Sequence, residues 1–267
     1  MPIDFDQNEL LTFFAVLVRF SVLVSVLPFL GDKVVPSTVK VLLSLAISLA
    51  LFPSLVKTGM VVPAEAQIWG GSLWGMTRVF GCEALFAIVL GFTARFVFDS
   101  IAFGSNLMGS FMGFSAATMF DPHHETQTQV VAQFFLALAM LVFLALDGHH
   151  LMIRAALESY QWVSLGKVDF TGGFTERLVQ LSAQVIRYGL QLSAPVGLAI
   201  FSVNIAFGVV ARAMPQVNVL VLSFAVTALV GLIVMLVTIS DSQGAVSEVL
   251  SRIGDWMIAV SKAVSSG

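Results

Sequence analysis

Apolar residues in this chain do not alternate with polar ones; they run on in long stretches divided by short polar punctuation. The first stretch covers residues 10–30 and is interrupted only by Arg19. Asp4, Asp6 and Asn8 precede it as candidate caps, and Pro28 and Gly31 close it. The opening nine residues are acidic and lack the basic start of a cleaved leader, so this run is expected to stay as a membrane helix. A second stretch starts after Pro36, with Ser37 or Thr38 as cap, and runs to Pro53, short for a full crossing. Further uncharged runs cover 100–120, 126–146, 188–211 and 213–240. Several reach the roughly 20 residues that a helix needs to cross a hydrocarbon layer of about 30 Å. One buried core helix accounts for one such run, not for so many in 267 residues.

The punctuation predicts the rest of the organisation. Residues 68–103 form an apolar region carrying Arg78, Glu83, Arg95 and Asp99, with Arg95 and Asp99 four apart on one helix face. Residues 104–125 are rich in glycine, serine and methionine, and Gly109 with Gly113 makes one Gly-x-x-x-Gly, a spacing that lets membrane helices approach closely. That region reads as a helix that breaks before Asp121-Pro122 and gives way to a loop reaching Gln129. A strong apolar helix over 130–146 stops at Asp147-Gly148-His149-His150, and 151–162 continues as an amphipathic helix with Arg154 and Glu158 on one face. A glycine-rich loop over 164–173 precedes an amphipathic stretch over 174–187, an apolar run over 188–211 kinked at Pro195, and a polar turn from Arg212 to Asn218. The last long apolar helix starts after Asn218. The tail, 241–267, spaces Val246, Leu250, Ile253, Trp256 and Met257 at helical intervals and reads as a peripheral amphipathic helix.

Composition sharpens this picture. Hydrophobic residues make up 58% of the chain and charged residues 11%, less than half of the roughly 25% charged content of a soluble domain. The fold class expected is therefore all-α: a polytopic integral membrane protein of about six to eight helical segments, some broken or kinked. The charges within its apolar text should face protein or water rather than lipid, Arg19 above all. A net charge of −3 offers no basic surface for nucleic acid, and the lone Cys82 excludes an internal disulfide.

Candidate chemistry changes little. The histidines form two adjacent pairs, His123-His124 and His149-His150, and neighbours on a helix point about 100° apart, so neither pair has the spacing of a helical zinc site. No phosphate cradle or nucleophile elbow appears in the sequence, and no catalytic, cofactor or metal residue is assigned. An intramembrane hydrolase built on Ser115, Asp121 and His123 has only proximity in its favour. A self-contained transporter of small solutes is a stronger alternative, because broken helices build such sites, although the two halves show no evident repeat. A scaffold without pore contact is a third reading.

Six ordered landmarks carry a resemblance: Arg19 followed by Pro28-Phe-Leu-Gly31 and Val34-Val-Pro36; Glu83 to Gly91; Met112 to Pro122; Phe143 to His150; Ala194-Pro195; and Arg212 to Asn218. Together they cover nearly the whole chain, which resembles the FliR family of flagellar and virulence type III export components. That resemblance implies a single export-gate domain over 1–267, acting as a subunit of a helical assembly around a pore in the bacterial inner membrane. It implies FliP-like and FliQ-like membrane subunits, FlhB-like and FlhA-like export proteins and unfolded flagellar subunits as partners. It further implies that residues 104–129 hold a plug, with Phe111, Met112, Phe114, Met119, Phe120 and Asp121 at the constriction. Bulky, adaptable Phe and Met side chains suit a seal that must yield to a passing chain. Arg19, Glu83, Arg95, Asp99, Asp147, His149, His150, Arg212, Gln216 and Asn218 are expected as polar contacts between helices or subunits, because charges in such places are costly unless matched.

Overall fold

The computed structural model describes residues 6–28, 30–31, 35–114, 130–170, 173–214 and 219–265. Helices α1 (Gln7–Val26), α2 (Ser37–Lys57), α3 (Ala66–Trp69), α4 (Leu73–Phe111), α5 (Val130–Ala145), α6 (Gly148–Glu158), α7 (Phe174–Ala213), α8 (Val219–Val237), α9 (Ile239–Ser251) and α10 (Ile253–Val264) follow one another. Short 3-10 turns lie at Pro63–Glu65 and Ser159–Gln161. The chain is an all-α polytopic membrane protein: α1, α2, α4 and α7 are each long and apolar enough to cross a membrane, and among the described residues two bent helix pairs raise the number of candidate spans to as many as six.

Two of these helices exceed what a crossing requires. α4 has 39 residues and α7 has 40, so each is roughly 60 Å long at 1.5 Å per residue, about twice the hydrocarbon thickness. The polar residues along them do not break them, because serine and threonine hydroxyls return to the backbone one turn earlier, as Thr93 does to Val89 at 2.8 Å and Ser202 to Leu198 at 2.9 Å. The regions expected over 68–103 and 104–125 thus share one helix as far as Phe111. Likewise the amphipathic 174–187 and the apolar 188–211 form one helix with Pro195 inside it. α2 also continues past Pro53 to Lys57, which makes it 21 residues and long enough to span. The tail forms two helices, α9 and α10, rather than one.

The chain packs as two compact units. The first contains residues 1–96, 149–181 and 252–267. In it α1 and α2 run antiparallel, with Phe13 edge-on to Phe52 and the Ser21 and Ser44 hydroxyls 3.2 Å apart. Asp6 caps α1 by accepting from the Gln7 N–H at 2.8 Å. The first part of α4 lies alongside α1, and Gly91 is needed there because a Cβ would strike the Val26 side chain. α10 buries Ile253, Trp256, Met257, Val260 and Val264. It also closes onto the loop after α6, where Asp169 N–H donates to the Val264 carbonyl at 3.0 Å.

The second unit contains residues 97–148 and 182–251. The second part of α4 meets α7 at Gly104 and Gly189, where a Cβ on Gly104 would lie 2.6 Å from the Gly189 carbonyl oxygen. Phe98 packs edge-on to Phe143 of α5, and α9 packs against α5 and α8. Outward stripes remain apolar: Leu198, Phe201, Ile205 and Val209 on α7, and Leu229, Ile233 and Leu236 on α8, are all exposed. Patches of this size belong against lipid or neighbouring subunits.

Candidate functional site

Two places concentrate the residues singled out by the sequence, and each lies within one unit. In the second unit, the last turns of α4 lead to the expected plug. Ser105, Asn106 and Ser110 donate to the carbonyls of Ile101, Ala102 and Asn106, one turn earlier on the same helix. The helix then ends abruptly. Met112 N–H donates to the Met108 carbonyl at 3.0 Å and Gly113 N–H to the Ser110 carbonyl at 3.1 Å, while Gly113 turns left-handed at φ 88°. A left-handed glycine after the last turn is a common helix stop, since it carries no Cβ to clash.

Small residues on two other helices receive this end. Phe111 lies over Gly197 of α7, where a Cβ would come within 3.0 Å of the ring. Met112, 1% exposed, fills a notch at Gly231 of α8, and a Cβ there would sit 2.9 Å from its sulfur and terminal methyl and closer still to its Cγ. Phe224 closes on Gly113, with a hypothetical Cβ 2.9 Å from the ring. Thr227 donates to the Met112 carbonyl at 3.4 Å and to the Phe224 carbonyl at 3.1 Å. The root of the expected plug is therefore held by shape, with one weak hydroxyl contact. Phe111 is 42% exposed and Phe114 half-buried, so both keep more exposed surface than the buried Met112 between them. Met119, Phe120 and Asp121 lie outside the described residues. Gly113 stands in this turn rather than on a helix face, so Gly109 and Gly113 do not act as a Gly-x-x-x-Gly packing motif.

In the first unit, Arg19 and Glu83 meet with no exposed side-chain surface on either. The guanidinium binds the carboxylate through two nitrogens, Nε to Oε2 at 2.5 Å and Nη2 to Oε1 at 3.1 Å. Nη1 donates to the Ser159 hydroxyl at 3.1 Å, and Nη2 also to the Val163 carbonyl at 3.3 Å. The Gly166 N–H donates to Oε1 of Glu83 at 2.9 Å. Two rings cover the guanidinium, Tyr160 with its centroid 3.7 Å away and Phe86 at 4.7 Å. A buried ion pair is tolerable only when such bonds replace the lost water, and a planar guanidinium offers the fork and the flat faces to make them. The cluster ties α1, α4 and the turn after α6 together. Ser159, Tyr160, Val163 and Gly166 carried no signal in the sequence, since two contribute backbone groups alone.

The remaining expected polar residues lie elsewhere. Arg95 and Asp99 are exposed along α4, and Arg212 is exposed near the end of α7. Asp147 is exposed, with its backbone at φ 52°, at the stop after α5. His150 is exposed and His149 half-buried, their rings 4.1 Å apart. Gln216 and Asn218 lie outside the described residues.

Comparison with known proteins accords with this arrangement. The family model described as bacterial export proteins, family 1, matches residues 10–253. The flagellar biosynthetic protein FliR of Escherichia coli (strain K12) is 28% identical over 223 residues, covering 84% of this chain and 82% of that protein. FliR of Pectobacterium carotovorum subsp. carotovorum is 28% identical over 228 residues, covering 85% and 84%. FliR of Bacillus subtilis (strain 168) is 27% identical over 232 residues, covering 85% and 86%.

Proposed function

The chain belongs to family 1 of the bacterial export proteins, and from that membership we propose that it is a subunit of the flagellar protein-export gate. In this reading the whole chain acts as one gate subunit in the inner membrane, beside FliP-like and FliQ-like subunits and in reach of FlhB-like and FlhA-like proteins. Unfolded flagellar subunits pass through the pore to which it contributes. Arg95, Asp99, Asp147, His149, His150 and Arg212 serve as polar contacts to neighbouring helices or subunits, which would answer the cost of charge near lipid.

The observation that carries the pore reading is the root at Met112-Gly113. A segment anchored by a methionine in a glycine notch, with Phe111 and Phe114 flanking it, can hold a closed position by packing and leave it without breaking an ion pair. An apolar constriction resists hydration and ion leak. Replacing Phe111, Phe114 and Met119 together by alanine is expected to raise ion leak across membranes carrying the assembled complex, with recovery of the complex unchanged. Unchanged leak would assign the chain to scaffolding. Recovery of a lone, monodisperse chain in mild detergent from cells that make the FliP-like and FliQ-like proteins would point instead to a solute transporter.

A further inference from the structure

We propose that Asp147, His149 and His150 form a binding site for a divalent transition-metal ion of the zinc class, with at least one coordination position open. One ligand atom from each residue, an oxygen and two ring nitrogens, lies within 4.8 Å of the other two. Among the described residues no other trio of His, Cys, Asp or Glu gathers as closely. All three ligands come from four consecutive residues, so the geometry is that of a single local turn.

The corner between α5 and α6 explains how such close neighbours in sequence converge. Spacing within a helix sets adjacent side chains about 100° apart, but this trio does not lie within one helix. Leu146 and Asp147 N–H groups donate to the Val142 and Leu144 carbonyls at 2.9 and 3.1 Å, which closes α5. Asp147 then turns left-handed at φ 52°, a conformation that aspartate tolerates better than most residues. Gly148 follows, pressed on the Phe143 ring where a Cβ would collide. His149 and His150 stand in the first turn of α6 with their rings 4.1 Å apart and tilted by 38°. The carboxylate before the corner thus meets two imidazoles just after it.

The donor set selects the metal. Two imidazoles and one carboxylate suit zinc and its first-row neighbours, whereas calcium and magnesium favour oxygen ligands. Around a tetrahedral zinc, ligand atoms bonded at about 2.0–2.2 Å stand roughly 3.3–3.5 Å apart, so side-chain rotation needs to close the present separations by at most about 1.5 Å. His149 Nδ1 is shut off from solvent and has no hydrogen-bond partner among the described residues. That is a costly condition for a ring nitrogen, and a metal ion bound there would end it. Asp147 and His150 are exposed, so three protein ligands leave a fourth position within reach of water or of a neighbouring subunit's side chain. The site is compatible with polar contacts from these residues to such a neighbour, and it stands if the gate reading fails.

The test uses the full chain in mild detergent with whatever accompanies it, recovered through a tag free of histidine and stripped of metal with a chelator. Zn2+ is then titrated against a chromophoric indicator. The expected result is one zinc ion bound per chain, with binding weakened about 100-fold or more in His150→Gln, since losing even a hydrogen-bond partner of a zinc ligand costs about 10–100-fold. Asp147→Asn should weaken binding too, while His123→Gln combined with His124→Gln should leave it unchanged. Equal affinity in the natural chain and in His150→Gln would overturn the proposal, and equal loss from both histidine pairs would reduce it to adventitious surface binding. Carbethoxylation of histidine by diethyl pyrocarbonate, mapped by mass spectrometry on the natural chain, gives a decision even where a variant fails to fold. Zinc should protect His149 and His150 and leave the reactivity of His123 and His124 as it was; identical modification with and without zinc would sink the site.

Discussion

Arg19 and Met112 are both removed from solvent, and they are held in opposite ways. Arg19 is fixed by directed bonds: a two-point ion pair, a hydroxyl, a carbonyl and two ring faces, all within one unit. Met112 is held by the shape of a glycine notch and a long hydroxyl contact to its carbonyl. Directed bonds in a low dielectric fail steeply when one member is lost, whereas a flexible thioether against a glycine surface can shift among arrangements of similar energy. The contrast separates a part of the molecule built to stay from one suited to move.

The largest expected effect breaks the first kind of site. Glu83→Ala leaves the Arg19 cation buried without its counter-ion and should cost about 3–5 kcal/mol, seen as poor recovery of folded protein and early thermal unfolding in detergent. Arg19→Met combined with Glu83→Leu removes both charges and should recover most of that loss. A double variant no more stable than Glu83→Ala would mean that the bonds to Ser159, Val163 and Gly166, rather than the uncompensated charge, dominate.

The second site should respond more mildly and in a compensable way. Gly231→Val forces Met112 out of its notch, at about 1–3 kcal/mol for an overpacked contact. Met112→Ala in the same chain should restore part of the thermal stability while raising ion leak in the assembled complex. Absence of any rescue would show that the notch is set by backbone rather than by the methionine.

Gly113→Ala tests the turn itself. An L side chain at φ 88°, facing the Phe224 ring, should destabilise by roughly 1–2 kcal/mol, and Gly113→Asn by less, because asparagine tolerates the left-handed region. Export measured as secreted flagellar subunit should fall in the same order; equal secretion by both variants would detach the turn from gating. The smallest effect is expected at Arg154, paired with Glu158 at 2.9 Å but 76% exposed. Arg154→Ala should change stability by about 0.5 kcal/mol or less, which provides the baseline for an ion pair in water against the buried pair of Arg19.

Much of this contrast was legible one member at a time. Arg19 in the middle of an apolar run had to face protein or water, and Glu83 stood out for the same reason. Their pairing was not legible, because the partners are 64 residues apart in the chain and the supporting groups come from residues 159–166. Arg154 and Glu158 were legible as a pair because their spacing alone places them on one helix face. Gly113 was misread from spacing: two glycines four apart fit a helix contact, but the helix stops before the second. The groups that meet this stop, Phe224 and Thr227, come from α8, far along the chain.

Apolar run length by itself determined that this chain is helical and spans a membrane, since a backbone in hydrocarbon must satisfy its hydrogen bonds within the segment. Composition alone likewise placed its charges under pressure to find partners. Which charge meets which, which apolar runs join into one long helix, and which glycine receives which side chain were decided only by tertiary structure. Those outcomes depend on distances between segments remote in sequence, and no local pattern encodes them.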